Sequence, residues 1–359
     1  MTARLRQYRY ELARGGSGGG SAYPFLARFN GELAAPLATP YRADVGTLTV
    51  TGTTQTITGG KYAHASDANT WGLNAPTAGA LSRVAGRALI YGGLNFAALT
   101  TSLDFGFRSS VGLGASLVQG FRIGSGGNPL LLASINAAQT PTLLNTNLST
   151  ATDYDFAVVL RATAGAFFLY RLTGAAAWTL LYVDDITTTS TLYHQYKHQG
   201  VQGVLDTIAV PPWTWLPTPL VSQASGAFGP TDLGTPNIVA SLVCGGTGNQ
   251  SIIFRRQDAS NYWQLRRQAT TTVLNEVVAG TPAVRATTSK TATANDRIQL
   301  CASGTTIRCW HQTAAGVITA LTAYTSASNF STQGTVAIED GANAGTFEVF
   351  AVSQPGLAA

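Results

Sequence analysis

The chain has 359 residues, of which 45% are hydrophobic and 11% charged, and its formal net charge at pH 7 is +5. No apolar stretch reaches the roughly 18 residues that a membrane-spanning helix needs, and the sparse, dispersed charge argues against nucleic-acid binding. The length suits two domains of about 150 residues each. Because an average soluble domain is about 25% charged, the low value favours a homo-oligomer or a multi-copy part of an assembly.

Residues 1–39 are predicted to comprise an extended basic arm and a glycine-rich linker. The run from Gly15 to Ser21 is flexible, since glycine loses the most conformational entropy on ordering. The arm's apolar residues fit a helix as well as a strand, and it lacks the apolar core of a signal peptide. We therefore expect the protein to be made and released in the cytoplasm, or to leave it by a route other than standard secretion. The basic arm is expected to anchor the chain to a partner through Arg4, Arg6, Tyr8, Arg9 and Tyr10.

Residues 40–210 are predicted to form a first β-sandwich domain. The segment Thr47–Thr51 alternates strictly, which places Leu48 and Val50 on one face of a strand. Short runs rich in β-branched residues recur between Gly and Asn breaks, and no amphipathic helix of ten residues stands out. This pattern is typical of a sandwich or a barrel.

Residues 211–219 are predicted to be a stiff linker that separates the first domain from a second one at 220–359. Four prolines hold this segment extended. Trp213 and Trp215 offer apolar area that can pack against a neighbouring domain.

The two halves of the chain resemble each other near their ends. A strand at Asp153–Leu160 precedes Gly165, and a strand at Asp296–Leu300 precedes Gly304. The two glycines are 139 positions apart, while Val210 and Val352 in the closing strands are 142 apart. A match over about 60 residues, fading upstream, indicates tandem copies of one domain.

One hairpin of the second half can be predicted at side-chain level. If Ser303 and Gly304 form a two-residue turn, Ile298 pairs with Cys309 on an apolar face. Cys301 then points to the opposite face, so a disulfide between Cys301 and Cys309 is excluded and Cys309 is a small core residue. The three cysteines show no C-x-x-C spacing of a metal site.

Three segments carry a family resemblance. Residues 252–265 (IIFRRQDASNYWQL) contain a strand ending in Phe-Arg, a turn of the form Asp-x-x-Asn-Tyr and a following aromatic strand. Together with 304–310 and 330–338, they resemble the laminin-G/concanavalin A-like jelly-roll superfamily, of the kind found in bacteriophage virion proteins. The resemblance implies an all-β fold with two tandem antiparallel β-sandwich (jelly-roll, concanavalin A-like) domains behind the arm. It implies no particular activity.

Metal and cofactor sites are not expected. In the turn, Asp258 can accept from backbone N–H groups two residues on, and Asn261 tolerates a left-handed backbone. This structural interpretation is favoured over calcium binding, because no other carboxylates accompany Asp258 and calcium takes six to eight oxygen ligands. His194 and His198 have a spacing that binds metal on a helix, but the region is predicted as strand and loop.

No catalytic residues are predicted, so the chain is expected not to be an enzyme. Some relatives of this fold are glycoside hydrolases, which need two carboxylates across the scissile bond. The adjacent pairs Asp184–Asp185 and Glu339–Asp340 would point to opposite faces of a strand. A hydrolase or lyase stays as an alternative if folding brings two carboxylates to about 5–10 Å in a groove.

Two functional hypotheses follow. The leading one is a structural protein of a tailed-phage virion, either tail-associated or a capsid decoration, docked to other virion proteins by its arm. The alternative is a carbohydrate-binding adhesin that recognises host surface glycans. In that case Tyr262, Trp263 and Trp310 are the proposed stacking residues, with Trp71 and Trp178 as further aromatic candidates.

Overall fold

The structure is a computed structural model that is all-β in the part of the chain it describes. Apart from a 3-10 turn at Thr77–Gly79, its elements are strands, and no described helix has the length and apolarity to cross a membrane. The anchor residues Arg4, Arg6, Tyr8, Arg9 and Tyr10 lie outside the described residues. These are 24–29, 41–42, 46–51, 55–58, 61–64, 70–110, 117–124, 130–136, 142–150, 152–162, 164–185, 191–339 and 344–354.

The strands up to the proline-rich segment are β1 (Phe25–Arg28), β2 (Tyr41–Arg42), β3 (Thr47–Thr51), β4 (Gln55–Thr58), β5 (Lys61–His64), β6 (Thr70–Asn74), β7 (Leu81–Ser82), β8 (Ala88–Arg108), β9 (Leu117–Gly124), β10 (Leu130–Asn136), β11 (Thr142–Leu148), β12 (Tyr154–Leu160), β13 (Ala166–Leu172), β14 (Trp178–Val183), β15 (Thr191–Leu205) and β16 (Thr207–Val210).

After that segment come β17 (Val221–Gln223), β18 (Phe228–Asp232), β19 (Ile238–Cys244), β20 (Gln250–Phe254), β21 (Tyr262–Arg267), β22 (Thr271–Val278), β23 (Thr281–Ser289), β24 (Asp296–Ser303), β25 (Thr306–Gln312), β26 (Ile318–Ala320), β27 (Thr335–Glu339), β28 (Ala344–Ala351) and β29 (Ser353–Gln354).

The chain divides into two compact units. Of the described residues, the first unit contains those within 24–179 and 184–216 together with Gln354, and the second contains those within 180–183 and 217–353. Residues 180–183, in the second part of β14, thus group with the second unit although they come early in the sequence. The domain boundaries given by the sequence stay a prediction.

The second unit is an antiparallel β-sandwich. One sheet has the order β17-β28-β19-β24-β25-β26 and the other β18-β27-β20-β21-β22-β23. Consecutive strands at both ends of the unit switch between the sheets, as in a jelly roll. Side chains of both sheets share one buried core, in which Leu300 and Phe347 of the first sheet join Phe254 and Trp263 of the second.

The first unit has the same plan. One sheet runs β13-β12-β8-β16-β1 and the other β11-β10-β9-β8-β15-β6-β3, because the long strand β8 serves both. Its core is aromatic: Phe105 lies 5.1 Å and Phe121 5.2 Å from the ring of Phe156, and Phe168 packs edge-on against Phe121. Each such buried ring stabilises the fold by about 1.5–3 kcal/mol.

The repeat extends over the whole sandwich, beyond the 60 residues recognisable in sequence. The turn glycines match, since Gly165 and Gly304 both have positive φ, at 69° and 56°. The prediction of strands at 47–51 is confirmed, with Leu48 and Val50 buried. Equivalent strands by pairing are β1 with β17, β6 with β18, β8 with β19 and β20, β9 with β21, β10 with β22, β11 with β23, β12 with β24, β13 with β25, β15 with β27 and β16 with β28.

The register predicted for the β24–β25 hairpin was wrong by two residues. Ser303 pairs with Thr306, so the turn residues are Gly304 and Thr305, with glycine at the first central position of the turn. Ile298 therefore pairs with His311 rather than Cys309. A shift of two keeps each side chain on its face, so Cys309 does lie in the core cluster, and all three cysteines are free.

A polar cleft on the second unit

Strand β21 separates core side chains from outward-facing ones by simple alternation. Trp263 and Leu265 belong to the core cluster. Tyr262, Gln264 and Arg266 therefore project from the opposite, outer face of the sheet. Tyr262 and Arg266 are half-buried, so this face presents an aromatic and a basic side chain at its surface.

Two of the predicted glycan-stacking residues are buried, and this part of the prediction was wrong. Trp263 is 0% exposed, and its indole Nε1–H donates to the carbonyl oxygen of Asn329 at 2.9 Å. Trp310 is 1% exposed and packs edge-on against Tyr182, with ring centroids 5.3 Å apart. Trp178 is also buried, beneath the guanidinium of Arg171. Large apolar rings gain more by packing in a sandwich than by facing water.

Tyr262 is the predicted stacking residue that does reach the surface, and it lies where two clefts adjoin. One cleft has a volume of about 270 Å³ and is lined by Phe228, Arg256 and neighbouring residues. The other has about 370 Å³ and is lined by polar and apolar residues of β21, β22 and β23, among them Asn275 and Val284. Tyr262 and Glu339 line both. We call the two together the Tyr262 cleft.

The floor of the cleft is a chain of hydrogen-bonded polar side chains. Asn275 donates through Nδ2 to Oε1 of Gln264 at 3.1 Å, and Gln264 donates through Nε2 to Oε2 of Glu339 at 2.6 Å. The same Nε2 lies 3.3 Å from Oγ of Ser251. Gln264 and Asn275 are only 5% and 7% exposed, so these bonds satisfy groups that would be costly to bury alone.

Tyr262 lies within electrostatic reach of one carboxylate and two guanidinium groups. Partial burial raises the pKa of its phenol above the usual value, and the charge of Glu339 raises this pKa further. Arg256 and Arg266 act on the pKa in the opposite direction. The phenol is thus a neutral donor and acceptor at physiological pH, between groups that bind polar ligands.

The turn before Tyr262 is fixed by the motif found in the sequence. Asp258 accepts from the backbone N–H of Ser260 at 2.7 Å, which confirms the prediction for this residue. Asn261 donates to both carboxylate oxygens of Asp258 and accepts from the N–H of Ala279 at 3.0 Å. The left-handed backbone that Asn261 could tolerate is not used at this residue; near the turn it occurs at Arg255 (φ 49°) and Ala279 (φ 50°).

The histidine pair lies on a strand, as predicted. In β15, His198 Nε2 is 3.3 Å from the hydroxyl of Tyr62, and the ring of His194 lies 4.0 Å from that of Phe25. Both histidines are 1% exposed, and burial lowers the pKa of His194 to about 3. Within the described ranges, no group of three His, Cys, Asp or Glu side chains is placed to hold a metal ion.

At least one member of each carboxylate pair named from the sequence can be placed in the fold. Asp184 is fully buried and accepts from Nε2 of Gln119 at 3.0 Å. Glu339 lines the Tyr262 cleft, where it is the one carboxylate among the described lining residues, while Asp340 lies outside the described residues.

Four polar residues around Tyr262 were not predicted from the sequence as site residues, namely Arg256, Gln264, Arg266 and Asn275, and Glu339 was considered only as a catalytic carboxylate. For Gln264 and Arg266 on β21, the alternation Tyr-Trp-Gln-Leu-Arg at 262–266 predicts the outward orientation. If Leu265 faces the core, Trp263 does too, and Tyr262, Gln264 and Arg266 must face outward.

No family model matches the chain, and no curated protein does either. Similar solved structures include the exoplasmic/lumenal domain of VIP36 in its Ca²⁺/Man3GlcNAc-bound form, at 9% identity and TM-score 0.33, covering 48% of this chain and 86% of that one. Another is the carbohydrate binding module CBM66 from Bacillus subtilis, at 14% identity and TM-score 0.27, covering 39% and 91%. A third is the LG4-5 pair of the mouse laminin alpha1 chain, at 10% identity and TM-score 0.25, covering 85% and 99%. Because all three TM-scores are below 0.5, these likenesses assign the chain to no family.

Proposed function

We propose that the chain binds polysaccharide and that the Tyr262 cleft of the second unit is its binding site. The observation that carries this proposal is the row of amide and carboxylate groups from Asn275 through Gln264 to Glu339, beside a half-buried tyrosine. Sugar hydroxyls donate and accept at once, and they are matched by planar side chains that offer both functions. A tyrosine adds an apolar ring surface with a polar tip.

The shape of the site fits a chain of sugars. Tyr262 and Glu339 line both clefts, so a ligand of several sugar units lying across the strands would meet these two residues from either cleft. Most polar groups of the floor are already held by one another, which limits the entropy that ordering costs on binding. A concave site with a few convergent polar groups is the usual form of a ligand site in proteins.

Affinity electrophoresis through gels that contain single polysaccharides tests the proposal. The full chain should be retarded by at least one polysaccharide, and Tyr262→Ala should lose most of that retardation. Val317→Ala, at an exposed position outside the cleft, is the control and should migrate like the wild type. Unretarded migration of the wild type across a broad panel, or an unchanged Tyr262→Ala, would contradict the proposed function.

The virion role inferred from the sequence depends on the basic arm, which lies outside the described residues. That role, the arm as anchor and the virion as location stay predictions. Polysaccharide binding is compatible with them, because an adhesin can be displayed on a larger particle.

A further inference from the structure

Strand pairing surrounds one polar side chain with valines on the outer face of the second unit. Asn275 of β22 pairs in register with Gln264 of β21 on one side and with Val284 of β23 on the other. Val273 and Val277 lie two positions away from it along β22, on the same face. Directly opposite residues of paired strands have their Cβ atoms about 4.5–5.5 Å apart, so Asn275 has one amide and three valines as its neighbours on this face. All five residues line the larger part of the Tyr262 cleft.

The hydrogen bonds of the cleft floor leave the side-chain oxygen of Asn275 available to a ligand. A carboxylate only accepts, so Gln264 presents Nε2 to Glu339 and Oε1 to Asn275. Asn275 in turn uses Nδ2 for the bond to Gln264, and its Oδ1 accepts no hydrogen bond from any described residue. Because Asn275 is 7% exposed and lines the cleft, a ligand that covers it must supply a donor to this oxygen or leave it buried and unpaired.

The three valines add apolar surface that the core of the unit does not use. None of Val273, Val277 and Val284 belongs to the core cluster. Val284, on the last strand of its sheet, is 62% exposed, the highest value for a large hydrophobic side chain in the described ranges. Pro282 lines the cleft as well. A methyl group of a ligand placed here would remove apolar area from water on both sides of the contact.

A ligand that matches this arrangement brings a hydrogen-bond donor and a methyl group to adjacent points. A sugar hydroxyl can donate to Asn275, but the hydroxyls next to it on the ring would then lie against valine side chains and lose their hydrogen bonds to water. An acetamido group combines both functions. In its planar trans amide, the N–H and the methyl group lie on the same side, so an N–H that donates to Oδ1 of Asn275 directs the methyl group toward the neighbouring valines.

From this juxtaposition we propose that the Tyr262 cleft binds a polysaccharide of N-acetylated amino sugars, whose acetamido N–H donates to Oδ1 of Asn275 and whose methyl group packs against Val284. The inference rests on the proposed function and narrows its ligand class. Tyr262 is a diagonal neighbour of Asn275 across β21 and β22, close enough for its ring to contact the sugar that carries the acetamido group. Selection then comes from this substituent rather than from the ring hydroxyls.

Isothermal titration of the full chain with three oligosaccharides of equal length and linkage tests the inference. A chitin oligosaccharide carries the acetamido group on every sugar, a cellulose oligosaccharide has a hydroxyl in its place, and a chitosan oligosaccharide has a free amine. The main variant is Val284→Thr, which exchanges a methyl group for a hydroxyl at nearly constant volume. Val317→Thr makes the same exchange at an exposed valine outside the cleft and is the control. Thermal unfolding of each variant verifies its fold.

We expect the chitin oligosaccharide to bind about tenfold or more tightly than the other two, because they lack either the donor or the methyl group. Val284→Thr should weaken this binding about threefold or more, and Val317→Thr should leave it unchanged. A further variant, Asn275→Leu, removes the acceptor and should abolish the preference for the acetylated ligand. Should Asn275→Leu fail to fold, Val284→Thr carries the test, since this exposed side chain contributes nothing to the core.

The failure of this inference and that of the proposed function are distinguishable. Equal or tighter binding of the cellulose or chitosan oligosaccharide would overturn the N-acetylated ligand class and leave the proposed function standing. An affinity in Val284→Thr no lower than in Val317→Thr would do the same. So would failure of all three oligosaccharides to bind while another polysaccharide still retards the chain in affinity electrophoresis. Failure to bind any polysaccharide would overturn both.

Discussion

The side-chain amide of Gln264 on β21 donates a hydrogen bond of 2.6 Å to Glu339 on β27, reaching across the intervening strand β20. The oxygen of the same amide accepts from Asn275, so the amide nitrogen and the amide oxygen each have a partner and the orientation of the amide is fixed. Three strands are thereby linked on the outer face of the sheet through side chains rather than backbone. The floor of the Tyr262 cleft is ordered before any ligand arrives.

Replacing this central amide should weaken both ligand binding and the fold. Gln264→Leu keeps the approximate volume but leaves Asn275 and Glu339 without their shared partner. We expect a loss of about 1–3 kcal/mol in the free energy of unfolding and a loss of polysaccharide binding of tenfold or more. Chemical denaturation and titration measure the two effects. Gln333→Leu, on a loop outside the cleft, is the control, and unchanged binding in Gln264→Leu would show that the polar row has no part in recognition.

A second prediction concerns the buried pair His311 and Asp296. His311 Nε2 lies 3.1 Å from Oδ2 of Asp296, and Nδ1 lies 2.6 Å from the hydroxyl of Thr272. Burial is the largest influence on the pKa of His311 and lowers it, although Asp296 acts to raise it. The imidazole is therefore neutral in the folded state, donating to Asp296 and accepting from Thr272.

The sign of the pH dependence follows from that lowered pKa. Below about pH 6.5 the unfolded chain takes up a proton on this histidine that the folded chain does not, so stability falls as the pH falls. Asp296, whose pKa is also lowered, adds a further loss only below about pH 4. His311→Gln, which can keep both hydrogen bonds, should reduce the drop in Tm between pH 7 and pH 5. An equal or larger drop in the variant than in the wild type would contradict a neutral His311.

The turn glycine of the β24–β25 hairpin gives a third prediction. Gly304 has φ 56°, and a methyl group added to its Cα would meet no atom within 4 Å, so any cost of substitution comes from the backbone alone. We expect Gly304→Ala to lower the free energy of unfolding by about 1–2 kcal/mol. Gly248→Ala, which also meets no atom but lies outside the positive-φ region, should be neutral or slightly stabilising. Equal effects of the two substitutions would argue against strain at Gly304.

The cysteines provide a fourth prediction. Cys244, Cys301 and Cys309 are all buried, and burial raises the pKa of Cys301 to about 11 and that of Cys244 to about 12. Thiols react as thiolates, so we expect slow labelling by Ellman's reagent at pH 8 in the folded chain. In denaturant all three should react quickly without a reductant. Fewer than three thiols in denaturant would instead indicate a disulfide.

The sequence was sufficient for the fold but not for the site. Alternation at Leu48 and Val50 and the repeat around Gly165 and Gly304 predicted strands in tandem sandwiches, because burial of one face imposes a period of two. The hairpin register failed by two residues because Ser303-Gly304 and Gly304-Thr305 are both acceptable turns. A register shift of two residues changes every cross-strand pair of the hairpin but leaves each side chain on the same face of the sheet.

The site depends on residues that are far apart in sequence. The alternation at 262–266 predicts that the side chain of Trp263 faces the core. This is enough to exclude Trp263 as a glycan-stacking residue. No local pattern shows that Glu339 comes to lie beside Gln264, because this contact depends on the order of β27, β20 and β21. The equivalence of β8 with β20 was likewise hidden, since the sequence repeat fades upstream of β12 and β24.

Hydrogen–deuterium exchange of the full chain with and without a bound polysaccharide tests the central claim most directly. We expect bound polysaccharide to slow amide exchange in the 256–268 and 271–284 segments and around Glu339, with no change in the β24–β25 hairpin on the other sheet. Protection confined to the hairpin or to the first unit, with none around Tyr262, would contradict the assignment of the Tyr262 cleft as the binding site.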